Sequence, residues 1–447
     1  MIEQFEKLFK IPDLRKRLVY TLLMLAIYRI GAHIPLPGVD PRALNEFMND
    51  LRLQGGTGSA MDYLDMFSGG ALSQMAIFAM GIMPYISASI ILQLLTVVVP
   101  TLERLSKEGE VGRRKITTYT RYLTGVIAAV QASGIAWWLT SAQAQTMGGA
   151  PLVPDTGPLF YCMCVLTLTT GTVFIMWVGE QITERGISNG ISLLIFASIV
   201  VRLGPAVGQT YARVQEDRLS PFQAIILLVV MVAVVAFIVF VERAQRRIPV
   251  QYAKRVVGRQ VRAGQSTHLP LKLNTSGVIP VIFAQSVVVL PGMLLNLPFF
   301  QGVPWAERMA NQLHYAMPLY VLLELTAIIF FCFFYTSIVF NPVDTTDNIK
   351  KYGGFIPGIR PGKKTAEYID RILSRLTLVG AVYVAAVCVL PVFLATWANV
   401  TFFFGGTALL IVVGVALDTI GQVESHLVSR QYEGFVSGAR QRGRLGR

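Results

Sequence analysis

Ten apolar windows recur along this 447-residue chain, near 18–36, 75–99, 122–140, 157–178, 190–204, 221–241, 277–296, 318–340, 376–396 and 403–421. Most are long enough to cross a bilayer core as a helix, which needs about 20 residues. Lipid offers no partner to a peptide N–H or C=O, so such a chain is confined to helices wherever it meets hydrocarbon. Composition agrees: 53% of residues are hydrophobic, 15% are charged, and the mean hydropathy is +0.55. The expected class is an all-α polytopic membrane protein. A basic N-terminus before an apolar run also describes a signal peptide. Here the run is long and no small-residue cleavage pattern follows, so it reads as a first membrane helix.

The net charge of +13 matters through its sidedness. With the N-terminus in the cytoplasm, segments 1–17, 100–121, 179–189, 242–276, 341–375 and 422–447 fall inside, and they hold 32 of the 39 Lys and Arg residues. That asymmetry orients the chain with both termini cytoplasmic. Five windows lie on each side of Asp217, dividing the chain into 1–216 and 217–447. An odd number of crossings per half makes the second half enter in the opposite sense, as an inverted repeat requires.

Residues 61–100 break the pattern. A short stretch, 63–74, holds Asp65, Ser68, Ser73 and the pair Gly69-Gly70, and precedes a window read as one helix over 75–99. Non-helical backbone at membrane depth is tolerated only inside protein or beside a water-filled cavity, so 63–74 reads as a re-entrant piece. In the window behind it, Ile82, Ile86, Ile90 and Leu94 make an i, i+4 aliphatic stripe. Ser87, Ser89, Gln93 and Thr96 put polar groups elsewhere, either as interhelical glue or as a pore lining.

Two inner loops are too long to be connectors. Segment 242–276 carries eight basic residues against Glu242, and its middle alternates as a hairpin does. Segment 341–375 contains YGGFIPGIRPG (352–362), where Gly and Pro set a stiff turn with Arg360 at its tip. Both read as docking surfaces for a large partner. No catalytic triad, paired carboxylates or nucleotide loop is present, and GIRPGKKT (358–365) has the wrong spacing for a phosphate loop. Cys162, Cys164, Cys332 and Cys388 sit in apolar runs without metal spacing, and the four histidines are scattered, so no cofactor or metal is expected. Charges inside the windows are few, Glu324 and Asp418 among them, which disfavours a secondary transporter for a small solute, the alternative that shares ten spans and inverted halves.

The chain closely resembles the SecY family of bacterial protein-conducting channels. The resemblance rests on FSGGALS (67–73), GIMPYISASIILQLLTVV (81–98), EGEVGRRKITTYTRY (108–122), GEQITERGISNGIS (179–192), QSTHLPLKLN (265–274), NPVDTTDNIKK (341–351), FIPGIRPG (355–362) and FFGGTALLIVV (403–413). It implies ten transmembrane helices in two inverted five-helix halves, forming a clamshell around an hourglass pore with a re-entrant plug. It implies a pore ring of Ile82, Ile86, Ile195, Ile282 and Ile411, and a plug containing Asp65, Met66, Phe67, Ser68, Gly69 and Gly70. Ser87, Gln93 and Asn274 match the family's lateral gate, and Lys254, Arg255, Arg259 and Arg360 its motor- and ribosome-docking positions. Gln260 stands where relatives often carry a second arginine, and Glu324 where an apolar or aromatic residue is expected.

The function so implied is non-enzymatic. Unfolded secretory proteins pass across the bacterial inner membrane, and transmembrane segments leave sideways into lipid. The implied partners are SecE and SecG, the SecA motor ATPase, the ribosome, signal peptides and unfolded preproteins, accessory SecD/SecF and YidC, and anionic lipids. An insertase or scaffold without a pore is the third class, and it predicts no plug.

Overall fold

The computed structural model describes residues 11–40, 43–44, 65–140, 152–216, 220–252, 255–257, 260–262, 266–295, 303–313, 317–398 and 406–444. Each of the ten windows carries a helix. Among the described residues, seven helical stretches are long and apolar enough to cross a membrane, and one bent pair makes an eighth. The helix over the first window carries too many charges to pass that test, and the seventh is short. By contacts the chain divides into Met1–Arg213 with Val415–Arg447, and Val214–Gly414. The sequence reading places the division at 216/217. The end of the last helix goes with the first unit, where Val423 and Leu427 pack against Leu14 and Ile187.

The first unit contains α1 (Pro12–Gly31), α2 (Met83–Val98), α3 (Pro100–Lys107), α4 (Glu110–Thr140), α5 (Pro158–Arg185), α6 (Gly190–Val201) and α7 (Leu203–Gln215). Several helices open on proline, which lacks the N–H that a first turn leaves unpaired anyway. Asn189 caps α6, its side chain accepting from the Ile191 N–H at 3.1 Å. Along α4, Thr120, Thr124, Ala128, Ala132 and Ala136 form a buried i, i+4 stripe. Small side chains let α5 approach closely, with Cys164 and Leu168 in the same core. At Val99, where extended backbone precedes Pro100, α2 and α3 meet at 100°.

One expectation needs correcting here: the second window is not helical from residue 75. Helix α2 begins at Met83, and 75–82 is a chain of turns. Met75 and Gly81 have φ of 41° and 56°, which no α-helix contains. Pro84 therefore sits in the first turn of α2 and interrupts nothing. The irregular backbone is satisfied by the loop after α1. Leu36 N–H donates to Met75 O at 2.7 Å, and Ile77 N–H to Ile34 O at 2.9 Å.

The second unit contains α8 (Pro221–Arg243), β1 (Gln245–Tyr252), β2 (Arg255–Val257), β3 (Gln260–Arg262), β4 (Ser266–Lys272), α9 (Ile279–Leu295), α10 (Pro304–Gln312), α11 (Pro318–Val339), α12 (Pro342–Lys351), β5 (Gly354–Phe355), α13 (Lys363–Ala398) and the start of α14 (Gly406–Arg444). These strands refine the all-α class: the membrane part is helical, and the two long inner loops contribute strands. The alternation in 242–276 is a hairpin, with β1 and β4 antiparallel from Gln245↔Lys272 to Gln251↔Ser266. Strand β5 adds to the other edge of β1 through Gln251↔Phe355 and Tyr252↔Gly354. Both long loops therefore build one sheet. Its core is Ile248, Val250, Leu271 and Ile356 against Ile369 and Ile372 of α13.

Candidate functional site

In the first unit the residues that the resemblance implies as a plug are enclosed. Asp65, Met66, Phe67 and Ser68 are buried, Asp65 completely. Residues 65–68 form one helical turn, and Gly69 and Gly70 reverse the chain with φ of 68° and 90°. That conformation strains any side chain. A Cβ on Gly69 would also lie 3.1 Å from the Ser198 Cα. Asp65 knots the segment together. Its Oδ1 accepts from the Ser73 N–H at 2.8 Å and the Ser68 hydroxyl at 3.2 Å, and its carbonyl accepts from the Gly70 N–H at 3.0 Å.

Four residues hold this knot, and none of them stood out in the sequence. Tyr28 on α1 donates through its hydroxyl to the Ser68 carbonyl at 3.2 Å and shares a 2.7 Å hydrogen bond with Ser198 on α6. Arg29 donates to the Gly69 carbonyl at 2.7 Å. Arg202, at the end of α6, lies 3.2 Å from Asp65 Oδ2. Arg29 falls inside the first window and Arg202 near the end of the fifth, with nothing in either window to name a partner. Pairing each with a plug group required the tertiary structure.

Of the implied ring, Ile82, Ile86 and Ile195 are buried in the first unit, Ile82 as the residue preceding α2 and Ile195 in α6. Ile86, Ala88, Ile90 and Leu92 are all buried on α2, so that helix is covered on two faces. Ser87 and Gln93 are half-buried on the same helix, and Gln93 donates to the Ser89 hydroxyl at 3.4 Å. In the second unit Ile411 is buried and Ile282 half-buried. The Asn274 amide is fully engaged locally. Its Nδ2 donates to Glu242 at 2.8 Å and the Gly277 carbonyl at 3.1 Å, while its Oδ1 accepts from Ser276 and the Gly277 N–H.

Among the docking positions, Arg360 is exposed beyond a well-formed turn. Pro357 and Gly358, with φ of 80°, are the central residues of a type II turn closed by Ile359 N–H to Ile356 O at 3.1 Å. The Thr365 hydroxyl then holds the Arg360 carbonyl at 3.0 Å. Arg255 opens β2 and pairs across the short hairpin with Arg262. Lys254 and Arg259 lie outside the described residues.

Glu324, the departure from the family pattern, has a partner. It is buried on α11 and accepts a hydrogen bond from the Gln285 side chain on α9, the neighbouring helix. Burying one polar group without the other costs about 1–3 kcal/mol. Glu324→Leu alone should therefore lower the melting temperature of the purified protein, and Gln285→Leu in the same chain should recover most of the loss. Equal Tm values for the single and double variants would show that the pair carries no coupling.

The SecY family model matches residues 76–420. The chain is 50% identical over 434 residues to the protein translocase subunit SecY of Escherichia coli, covering 96% of each chain. It is similar in fold to a SecY whose plug domain stabilises the closed state of the translocation channel and maintains a membrane seal (TM-score 0.58, 20% identity, 94% of this chain and 96% of that one). It is likewise similar to Sec61 in a canine ribosome–channel complex from the endoplasmic reticulum (TM-score 0.60, 18% identity, 94% and 96%).

Proposed function

The chain belongs to the SecY family, and from that premise we propose how its residues divide the work of a protein-conducting channel. It is a multi-pass membrane protein and the channel-forming subunit of a protein translocase, not an enzyme. Unfolded secretory chains cross through it, and membrane segments leave it sideways. The observation that carries this reading is the run of turns at 75–82, together with the buried plug residues before it. Irregular backbone at membrane depth is tolerated only where protein encloses it or a cavity borders it, and a channel supplies both.

Ile82, Ile86, Ile195, Ile282 and Ile411 form the waist. Aliphatic side chains give a passing chain no fixed hydrogen bonds, so they tolerate any sequence, and a narrow apolar ring dewets and blocks ions. Residues 65–70 are the plug. Ser87, Gln93 and Asn274 line the lateral gate, where an apolar signal segment gains burial in lipid and so favours the open state. Asn274 acts there by exchanging its present partners for substrate or water. Halves 1–216 and 217–447 are the two sides of the clamshell.

The joint sheet of the two inner loops, with Lys254, Arg255, Arg259 and Arg360, docks the SecA motor and the ribosome. Phosphate-rich RNA and acidic protein surfaces both suit its charge. SecE and SecG complete the complex, and SecD/SecF, YidC and anionic lipids assist it. The chain lies in the bacterial inner membrane with both termini cytoplasmic, as its basic segments require.

Photo-cross-linking tests the path. A photoreactive residue at position 86, with a control at the exposed Val382 of α13, is irradiated while a secretory precursor is stalled in transit. Links from 86 and none from 382 are expected. If neither links while the precursor still crosses, the waist lies elsewhere.

A further inference from the structure

We propose that Asp65 and Arg202, supported by Arg29, form an electrostatic latch that holds the plug in the seat seen here and sets how readily the channel opens. The inference rests on the plug reading above and assigns its regulation to named charges. Asp65 has no exposed surface. A carboxylate so placed is stable only with charge and hydrogen-bond partners. Two partners, the Ser73 N–H and the Ser68 hydroxyl, belong to the plug itself and travel with it. Arg202 does not. It sits on α6, and its guanidinium lies 3.2 Å from the one carboxylate oxygen that accepts no hydrogen bond. Arg29 on α1 adds a cation at 2.7 Å from the Gly69 carbonyl, at the hinge where the plug must bend to leave. The plug is thus tied by two arginines to two separate places, the end of α1 and the residue that caps α6, where buried apolar residues contribute no direction.

The physics makes the latch self-releasing. While the seat is dry, the local dielectric is low and the Asp65–Arg202 attraction is strong. Once a substrate admits water, both charges hydrate and the attraction falls severalfold, so the last part of opening costs less than the first. The asymmetry of burial gives a distinct signature. Removing Arg202 strands a completely buried carboxylate, whereas removing the Asp65 charge leaves an arginine whose side chain is 21% exposed and can reach water.

The test uses the complete translocase complex in vesicles and reads ion leak in the absence of substrate. Arg202→Gln should raise leak about tenfold, because a completely buried carboxylate has lost its charge partner, and Asp65→Asn about threefold, because the tie between this segment and Arg202 is weakened. The double variant should leak less than Arg202→Gln alone, since its two sites are both neutral. Both single variants should also export a precursor with a shortened apolar signal core better than wild type does, because less binding energy is needed to open. Deletion of 65–71 runs alongside and should leak most. If the deletion leaks while Arg202→Gln matches wild type, the latch is wrong and the plug stands. If the deletion does not leak, the plug assignment fails and the latch with it. A double variant as leaky as the product of the singles also overturns the latch. Asp65→Asn is nearly isosteric and decides the matter if Arg202→Gln does not accumulate; a wild-type leak from it overturns the proposal.

Discussion

Motor-driven export should fall to less than about one hundredth of wild type in Arg360→Glu, with no change in the protein's melting temperature. The second half of that expectation follows from the structure. The Arg360 side chain is exposed and makes no hydrogen bond or ion pair with the described residues. The turn beneath it is held by backbone and by Thr365, and its anchor Ile356 is buried in the sheet core. None of this depends on the arginine side chain, so stability should change by less than about 0.5 kcal/mol. The first half follows from charge. Reversal at this exposed position, just beyond the turn, places a carboxylate where the proposed docking partner would meet a cation. Like charges at an interface cost several kcal/mol, and each 1.4 kcal/mol is tenfold in binding. The check is translocation of a purified precursor into vesicles with motor and ATP, beside a thermal melt. Normal export would remove Arg360 from the docking face. Lost export with a lowered Tm would reassign it to the fold.

Gly171→Val should prevent the protein from accumulating in membranes. Gly171 is buried on α5, and a Cβ there would stand 2.1 Å from the Ile77 carbonyl oxygen. The clash is with backbone, so no rotamer change relieves it. Ile77 cannot retreat either, because its N–H is bonded to Ile34 O at 2.9 Å in the contact that satisfies the irregular segment. Moving it would strand peptide groups in an apolar setting, at several kcal/mol each. That exceeds the roughly 5–15 kcal/mol margin of a folded domain once two or three groups are affected. Immunoblots of the membrane fraction should show less than about a tenth of wild-type protein. Gly125→Val is the matched control, since a Cβ there meets nothing within 4 Å. Equal accumulation of the two variants would show that the connector 71–82 is free to shift.

Much of this was legible in the chain itself, and for a physical reason. Hydrocarbon imposes one rule on every peptide group, so apolar length alone located ten helices, although α4 and α13 run well past their windows at one end. Basic loops carry the proposed orientation, through a charge asymmetry that needs no contacts. Turn chemistry also reads locally. Pro357-Gly358 specified its turn and Gly69-Gly70 its reversal, because each conformation depends on the φ of the residue concerned. Alternation in 242–276 announced the β1–β4 hairpin for the same reason.

What depends on partners distant in sequence could not be read. The start of α2 at Met83 rather than Met75 follows from backbone bonds to residues 34–36. The joining of two loops in one sheet follows from β5 pairing with β1. Glu324 looked anomalous until Gln285, 39 residues away, stood beside it. The proposed plug is the clearest case. Its glycines and its carboxylate are local signals, but Tyr28, Arg29, Ser198 and Arg202 enclose it from 36 or more residues away in sequence. In this protein the sequence alone determined which segments are apolar enough to enter the membrane and where the chain must turn, since each follows from single residues meeting lipid or φ. Only the tertiary structure decided which buried polar groups face one another, because a buried charge is acceptable solely by virtue of a partner that folding brings to it.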